Sequence, residues 1–452
     1  MATLVLDAMR TGGIYDHLGG GFHRYATDHR WRVPHFEKML YDQALLLEAY
    51  TEAWLVTKNP EYRSTAESIA TYVLRDLTSP EGAFFSAEDA DSGEGEGAYY
   101  VWTPEELGQS LPAPDAAIAL QVFGLAQGPN FSVPESGRTA NVLFRAGTPP
   151  DPETLGRIQS QLLDARNRRM RPRRDEKILT DWNGLMIAAL AKASVAFGVP
   201  AYREAAERAM AFISSRMEAA DGSLLHRFYD GDAGISGFAD DYAAIIRARL
   251  ALYDATFDPG WISRAEQTCR YCHDYFTRPG SGGFFSVQRD QEEQLLERKE
   301  VYDGAIPSAN SLMLMNLVRL FHLTGNPAYQ VSAESLAGSF AGTVQQSPAA
   351  YTAFLCGVDS LLGPAVDIVL TGDDTLPEKT AMVHEIRKGF YPRLTLLVRS
   401  SGTTTRLDAV APFTRDMTEE AGTISAYVCQ GTTCSRPIHD RSTLHQMLKE
   451  IH

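Results

Sequence analysis

The stretch DWNGLMIAALAKASVAFGVPAYREAAERAMAFI, residues 181–213, decides the fold. Its first half is almost wholly small and apolar, as expected for a helix covered on both sides, and its second half is amphipathic. Between the halves, Gly198 is suited to end one helix and Pro200 to open the next, where the missing N–H of proline costs nothing. The stretch therefore predicts an αα-hairpin.

The same pattern of apolar helix, proline-containing turn, aromatic residue and Ala- and Glu-rich helix occurs in residues 42–74, 240–276 and 310–344. A repeat of this length indicates a ring or stack of hairpins. We expect residues 1–363 to form a mostly α domain, an (α/α)6 toroid of helical hairpins, although the sequence shows fewer helices than six hairpins need. After Gly363 the pattern changes to short apolar runs of period two, which predict a small α/β domain over 364–452.

Composition limits the class of function. The 452 residues carry 42 Lys and Arg against 57 Asp and Glu, a formal net charge of −15, which argues against a nucleic-acid or membrane partner. No apolar run is long enough for a membrane helix and no signal core opens the sequence, so we expect a cytoplasmic protein. No cofactor motif and no metal-ligand pattern stands out, so we predict neither a cofactor nor a metal.

Five cysteines are too few and too scattered for a disulfide framework, so reduced thiols are the expectation. Cys269 and Cys272 have redox spacing but lie in a helical pattern, which favours burial. Cys429 and Cys434 follow a predicted strand and could pair or bind a soft metal.

An acidic or amide residue opens each apolar helix, namely Asp42, Asp181, Asp240 or Asp241, and Asn310. The first interpretation is an N-cap, in which the side chain accepts hydrogen bonds from unpaired N–H groups. Residues in four equivalent places would also surround the mouth of a toroid with polar groups.

Residues 12–42 combine five glycines with many polar side chains. One interpretation is a ligand-binding loop, and the other is a rigid loop whose polar groups bond to one another. The polar members are Tyr15, Asp16, His17, His23, Arg24, Tyr25, His35, Glu37, Tyr41 and Asp42.

A second cluster, Glu88 to Glu96, is rich in carboxylates and is followed by Tyr99, Tyr100 and Trp102. Inverting glycoside hydrolysis needs two carboxyls about 6.5–9.5 Å apart, and Asp89 or Asp91 with Glu37 or Asp241 would supply them. A solvated acidic loop and a calcium-type site are the alternatives. Sugar epimerisation instead needs a base and an acid beside a carbonyl, for which His17, His23, His35 and His226 are candidates.

Several long segments resemble the YyaL and spermatogenesis-associated protein 20 family, also called thioredoxin domain-containing. They are GGIYDHLGGGFHRYATDHRWRVPHFEKMLYDQALL from residue 12, FFSAEDADSGEGEGAYYVWTPEEL from 84, DEKILTDWNGLMIAALA from 175, GFADDYAAIIRARLALYDATFD from 237, YDGAIPSANSLMLMNLVRL from 302 and AYVCQGTTC from 426.

The resemblance implies a six-hairpin toroid of the glycosidase and N-acylglucosamine 2-epimerase type, preceded in family members by a thioredoxin-like domain. No thioredoxin-type CxxC stands near residue 1, so the redox label of the family is not expected to transfer. A thioredoxin-like partner is an expectation of the resemblance.

We therefore expect a carbohydrate-active protein that uses carboxylate and histidine acid–base chemistry on a small-molecule sugar, by glycoside hydrolysis or epimerisation. The alternative is a non-catalytic scaffold that binds a sugar, a peptide or a redox partner. The predicted catalytic residues are His35, Glu37, Asp89, Asp91 and Asp241, and the predicted substrate-binding residues are His17, His23, Arg24, Tyr41, Asp42, Trp102, Asp181, Trp182, Tyr242, Asp303 and Asn310.

Overall fold

A computed structural model describes residues 1–289, 298–419, 422–431 and 433–450. It forms two compact units. The first comprises Met1–Trp54 and Lys58–Ile178, and the second comprises Leu55–Thr57 and Leu179–His452.

The elements of the first part of the chain are short strands between helices. They are α1 (Ala2–Thr11), β1 (Tyr25–Ala26), β2 (Pro34–His35), β3 (Lys38–Met39), α2 (Leu40–Thr57), α3 (Pro60–Tyr72), β4 (Ala87–Glu88), β5 (Asp91–Ser92), β6 (Gly95–Glu96), α4 (Pro104–Ser110), α5 (Ala113–Val122), β7 (Phe131–Ser132), β8 (Thr139–Ala140), α6 (Pro152–Arg166) and β9 (Arg174–Asp175).

Longer helices and one larger sheet make up the remainder. The elements are β10 (Ile178–Leu179), α7 (Thr180–Phe197), α8 (Pro200–Arg216), β11 (Leu225–Tyr229), β12 (Asp232–Ser236), α9 (Ala239–Thr256), α10 (Gly260–Phe276), α11 (Ala309–Thr324), α12 (Pro327–Gln346), α13 (Thr352–Leu362), β13 (Val366–Thr371), α14 (Pro377–Arg387), β14 (Leu394–Val398), α15 (Thr404–Val410), β15 (Ser425–Gln430), β16 (Thr433–Cys434) and α16 (Arg441–Glu450).

All four predicted αα-hairpins are present, as α2 with α3, α7 with α8, α9 with α10 and α11 with α12. A residue in the left-handed conformation follows each first helix, and the linker to the next helix has two residues, or three between α9 and α10. Proline occupies the first turn of α3, α8 and α12 and precedes the first residue of α10. The turn chemistry in the sequence thus predicted the hairpins correctly.

The first helices of three of these hairpins, α7, α9 and α11, form the more buried layer of the second unit. Helix α7 packs on α9, and α9 also packs on α10 and α11. Gly184 of α7 lies so close to α9 that a Cβ atom there would stand 2.7 Å from the carbonyl carbon of Ala244. The small residues of these helices therefore serve close helix contact, as their composition indicated.

Buried charge holds the glycine-rich loop of the first unit. Asp16 lies between Lys38 and Arg166, at 2.7 Å from Lys38 Nζ and 2.8 Å from both guanidinium nitrogens of Arg166. These three side chains are at most 4% exposed. The polar side chains around Asp16 thus bond to one another, which agrees with the second interpretation, that of a rigid loop.

The C-terminal region is a four-stranded sheet in the order β14-β13-β15-β16. Strand β13 is parallel to β14 and antiparallel to β15, and apolar residues of α14 and α16 complete its core. The predicted fold class, mostly α with helical hairpins and a small C-terminal α/β domain, is confirmed. The domain boundary at residue 363 and closure of the hairpins into a ring stay predictions.

None of the described helices is long and apolar enough to cross a bilayer.

Substitution of Gly184 by Ala should destabilise the protein, because the added methyl group meets the backbone of α9 at 2.7 Å. Overpacking of this kind costs about 1–3 kcal/mol. The free energy of unfolding from urea denaturation measures it.

The matched control is Gly338→Ala in α12, where a Cβ atom would meet nothing within 4 Å. This variant should gain up to about 1 kcal/mol from helix propensity. Equal stability of the two variants would contradict the close α7–α9 contact.

Candidate active site

The acidic residues that open the apolar helices lie in the first helical turn, not at the N-cap. The N-cap residues of α2, α7, α9 and α11 are Met39, Leu179, Phe238 and Ser308. The predicted capping role is therefore wrong for Asp42, Asp181 and Asn310, because the N-cap in each case lies two or three residues earlier. The side chains of these three residues therefore do not serve as N-caps of the helices in which they lie.

Asp241 lies at the centre of a cluster of polar groups in the second unit. Its side chain is 0% exposed, and its carboxylate accepts hydrogen bonds from the backbone N–H of Asp181 at 3.0 Å and of Phe238 at 2.8 Å. The ring nitrogen Nδ1 of His226 lies 3.0 Å from both carboxylate oxygens. Asp241 thus joins the start of α7, the start of α9 and strand β11.

His226 stands on β11 with its side chain 21% exposed, and its ring meets Phe238 edge-on at a centroid distance of 5.1 Å. Burial opposes protonation of the ring, but the hydrogen bond and the negative charge of Asp241 outweigh it and raise the pKa of His226. Because Nδ1 faces Asp241, Nε2 is the ring nitrogen available for proton transfer.

Asp181 is the third member of this group, which we call the Asp241 cluster (Asp181, His226 and Asp241). Burial and the neighbouring charge of Asp241 raise the pKa of Asp181 to about 8. Its carboxyl is therefore mostly protonated at neutral pH, although its Oδ1 accepts the N–H of Trp182 at 2.8 Å. Trp182 is half-buried beside it.

One donor atom from each member of the Asp241 cluster lies within 4.8 Å of the others, and carboxylate with imidazole is a donor set that divalent cations accept. However, Nδ1 of His226 and both oxygens of Asp241 are engaged in hydrogen bonds within the cluster. A cation would have to displace these bonds. The arrangement is that of a hydrogen-bonded acid–base group.

The first unit contains a different group, the His35 cluster (Arg24, His35, Glu37, Tyr41 and Glu96). His35 Nδ1 lies 2.7 Å from Glu96 and Nε2 lies 3.1 Å from Glu37. Glu37 also accepts from Arg24 at 2.9 Å, and Arg24 donates to the Tyr41 hydroxyl at 3.1 Å. The structure therefore brings together four predicted residues, His35, Glu37, Arg24 and Tyr41, in one chain of ion pairs and hydrogen bonds.

Asp42, in the first turn of α2, has a buried Oδ2 atom without a hydrogen-bond partner among the described residues. Burial raises the pKa of this carboxyl to about 7, and Arg24 lowers it less than burial raises it. The residue is a second carboxylic acid that is partly neutral near pH 7.

Asp89, which follows β4, and Asp91, which opens the hairpin of β5 and β6, are both exposed. Partial desolvation and the charges of Asp89, Glu135 and Glu96 raise the pKa of Asp91. Glu88, in contrast, is buried and accepts from Tyr72 at 3.0 Å. The solvated-loop interpretation fits the two aspartates best.

Four predicted binding residues are buried in the hydrophobic interior. Trp102 is 1% exposed and Tyr242 is 0% exposed, so neither ring has an open face on which a sugar could stack. Burial lowers the pKa of His17 to about 4 and that of His23 to about 3, and each ring bonds to a backbone carbonyl. Their burial does not support the predicted binding roles.

The side chains of Asp303 and Asn310 form hydrogen bonds with backbone groups. Asp303 accepts from the N–H groups of Ser308, Ala353 and Phe354. Asn310 is 1% exposed and bonds to the backbone of Phe284 and Glu300. Both side chains order loops beside α11 and α13.

Sequence reasoning did not identify Glu96 as the partner of His35, because 61 residues separate them. It named His226 only as one of four histidines, and no local pattern marked its pairing with Asp241. Tyr25, which is 50% exposed and stacks on His35 at 5.1 Å, was not singled out as a ring that could contact a ligand.

Asp42→Asn should stabilise the protein in a pH-dependent manner. The folded pKa is raised from 3.8 to about 7, so the native carboxyl takes up a proton on folding and the free energy of unfolding falls as pH rises from about 4 to 7. Asn at this position does not titrate, so the variant does not lose stability in this way as the pH rises. Its gain over the parent should be near zero at pH 4 and grow to at most about 4 kcal/mol above pH 7.

Melting temperatures of both proteins between pH 4 and 8 measure this difference. Asp164→Asn on the exposed face of α6 is the control, and its difference from the parent should stay constant. A constant difference for Asp42→Asn as well would refute a neutral carboxyl at this position.

No protein-family model matches the chain. Human spermatogenesis-associated protein 20 is 32% identical over 489 residues, which cover 99% of this chain and 62% of the human protein. The mouse protein of the same name is 30% identical, with 100% of this chain and 62% of the mouse protein covered. The chain thus spans less than two thirds of the length of these relatives.

Among solved structures, that of a D-mannose isomerase aligns with 79% of this chain and 70% of its own, at a TM-score of 0.46 and 12% sequence identity. A likeness of this extent says nothing about activity. The relatives, in contrast, match from end to end and confirm the resemblance first identified in the motifs. Over essentially its whole length, this chain is similar to the spermatogenesis-associated protein 20 proteins.

Proposed function

We propose that the protein catalyses proton transfer beside the carbonyl group of a reducing sugar, which epimerises or isomerises it, at the Asp241 cluster. One observation carries the proposal. A carboxyl that is protonated at neutral pH, Asp181, lies beside a histidine whose orientation is fixed by a buried carboxylate. Acid–base catalysis needs one group that gives a proton and a neighbouring group that accepts one.

The same geometry disfavours glycoside hydrolysis at this cluster. An inverting hydrolase needs two carboxyls about 6.5–9.5 Å apart, both facing the substrate. Donor oxygens of Asp181 and Asp241 lie within 4.8 Å of each other, and the Asp241 carboxylate is fully buried and saturated with hydrogen bonds. It can orient and polarise His226, but it cannot reach a sugar ring.

The proposed reaction begins with the open-chain sugar. Nε2 of His226 removes the proton from the carbon next to the carbonyl, while Asp181 donates its proton to the carbonyl oxygen, so a neutral enediol forms. The His226 imidazolium then returns its proton, either to the same carbon after the enediol has turned its opposite face to the ring, which gives the epimer, or to the neighbouring carbon, which gives the isomer. Asp181 takes back a hydroxyl proton as the carbonyl group forms again. Asp241 stabilises the imidazolium that exists between the two transfers.

A reducing sugar fits the surroundings because the cluster offers donors and acceptors beside the half-buried ring of Trp182, and an indole face suits the C–H face of a pyranose. The negative charge of Asp241, together with Asp240, favours a neutral or amino sugar over a sugar acid. Asp240 itself accepts the N–H of Ala309 at 3.1 Å.

Incubation in D2O tests the reaction directly. Deuterium should enter the carbon next to the carbonyl of one sugar in a panel of aldoses, ketoses and N-acetylhexosamines, as followed by NMR. His226→Gln should lower the exchange rate by about 100-fold or more, because it removes the base.

The chain offers a matched control in a second His–Asp pair of the same unit, His322 with Asp367 at 3.1 Å. His322→Gln should retain exchange. Hydrolysis of a glycosidic bond without deuterium exchange, or binding in thermal shift without turnover, would refute the proposal and favour the hydrolase or the scaffold.

The pH dependence follows from the two protonation states. Activity needs His226 deprotonated and Asp181 protonated, so kcat/KM should fall below the raised pKa of His226 and fall again above about pH 8. Because the groups interact, the two apparent values belong to the pair. Asp181→Asn should lose the alkaline limb as well as most of the rate, and an unchanged alkaline limb would contradict the assignment of the acid.

A further inference from the structure

Four of the cysteines form two pairs, one within helix α10 and one at the edge of the C-terminal sheet. Cys269 and Cys272, which have redox spacing, are 3% and 0% exposed, and burial raises the pKa of both thiols. Cys429 and Cys434 form a disulfide, so the expectation of reduced thiols is wrong for this pair. Cys429 and Cys434 lie directly opposite each other on adjacent strands, so they can form a disulfide. Their spacing in the sequence alone left open whether they would pair.

The disulfide joins the last residues of the edge of the C-terminal sheet. Strand β16 has only two residues, and Cys434 pairs with Cys429 of β15. Beyond it, Ser435 donates to the carbonyl of Val428 at 2.8 Å, and Ile438 exchanges backbone hydrogen bonds with Ala426. Ile438 also packs against the core of the sheet, and Thr433 pairs with Gln430.

The two sulfur-bearing residues differ in access. Cys429 is 5% exposed, whereas Cys434 is exposed, as are its neighbours Thr433, Ser435 and Arg436. Thiol–disulfide exchange needs a thiolate to approach one sulfur along the line of the bond. Cys434 is therefore the member of the pair that a thiolate from solvent can approach.

We propose that Cys434 is a site of reversible exchange with low-molecular-mass thiols of the glutathione class. The thiolate attacks Cys434 Sγ, the Cys429–Cys434 bond breaks, and a mixed disulfide forms on Cys434 while Cys429 leaves as a thiolate and takes up a proton. A second thiol then attacks the mixed disulfide, which yields the Cys434 thiol and the oxidised small molecule. The protein disulfide gains two electrons, and two small thiols lose them.

The mixed disulfide is short-lived in the native chain. The Cα atoms of the two cysteines are 3.9 Å apart, so the released Cys429 thiol stays next to Cys434 and can attack it again. Removal of Cys429 should therefore trap the adduct. Loss of the covalent bond should also loosen β16, which has only two residues and then depends on backbone pairing with β15.

The test uses the full chain with Cys356→Ser, which removes the other exposed thiol. The protein is equilibrated with reduced and oxidised glutathione at several ratios, quenched in acid, labelled with a maleimide and mapped by mass spectrometry. With labelling of the unfolded chain, we expect the labelled fraction of Cys429 and Cys434 to rise reversibly with the reduced fraction, whereas the free thiols Cys269 and Cys272 are labelled to the same extent at every ratio. An additional Cys429→Ser change should leave glutathione bound to Cys434.

The matched variant is Cys434→Ser on the same background, in which Cys429 should take up glutathione at least about tenfold more slowly, since it is buried. A disulfide that stays intact at every ratio in the folded parent would overturn the proposal, as would faster modification at Cys429. The parent measurement stands even where a serine variant fails to fold.

Discussion

The buried carboxylate of Asp241 is the constraint on which the candidate site depends. A charged carboxylate without partners in a protein interior is costly, and this one is compensated by two backbone N–H groups and by the His226 ring. The same three bonds fix the start of α7, the start of α9 and strand β11 in one arrangement. The charge that needs those bonds also raises the pKa of Asp181 and of His226. Local structure and acid–base properties here have one physical origin.

Comparison with Asp16 shows why partners, and not residue type, set the role of a buried acid. Asp16 is as well buried as Asp241, but two full cations, Lys38 and Arg166, contact it. Their charges outweigh desolvation and hold the pKa of Asp16 well below its usual range. Such a group is ionised at every physiological pH and cannot exchange protons, so it is structural. Asp181 forms no ion pair with a lysine or arginine among the described residues, and the charge of Asp241 beside it raises its pKa further above its usual range, to about 8.

The sequence predicted what depends on near neighbours in the chain. Turn residues such as Gly198 with Pro200 gave the hairpins, and the contrast between apolar α7 and amphipathic α8 gave the layers. It failed where the decisive partner is remote. Nothing near Trp102 in sequence indicates that its ring is buried, and the Glu96 partner of His35 is 61 residues away. The N-cap prediction failed for a different reason, since an acid at the second or third helical position has the same composition signature as one at the cap.

The neutral acids follow from how the apolar helices begin. The segments EKMLYDQ, residues 37–43, and EKILTDW, residues 176–182, each place an aspartate in the first turn of such a helix. A helix N-terminus favours the ionised form by about 0.3–1 kcal/mol. The raised pKa values of about 7 and about 8 correspond to several kcal/mol in the opposite direction. Desolvation therefore wins at both positions, because the first turns of α2 and α7 are largely buried. Burial of a first helical turn in this way produces a protonated carboxyl wherever no strong set of donors compensates the charge, as at Asp42 and Asp181, and acid–base chemistry then needs only a base beside one of them.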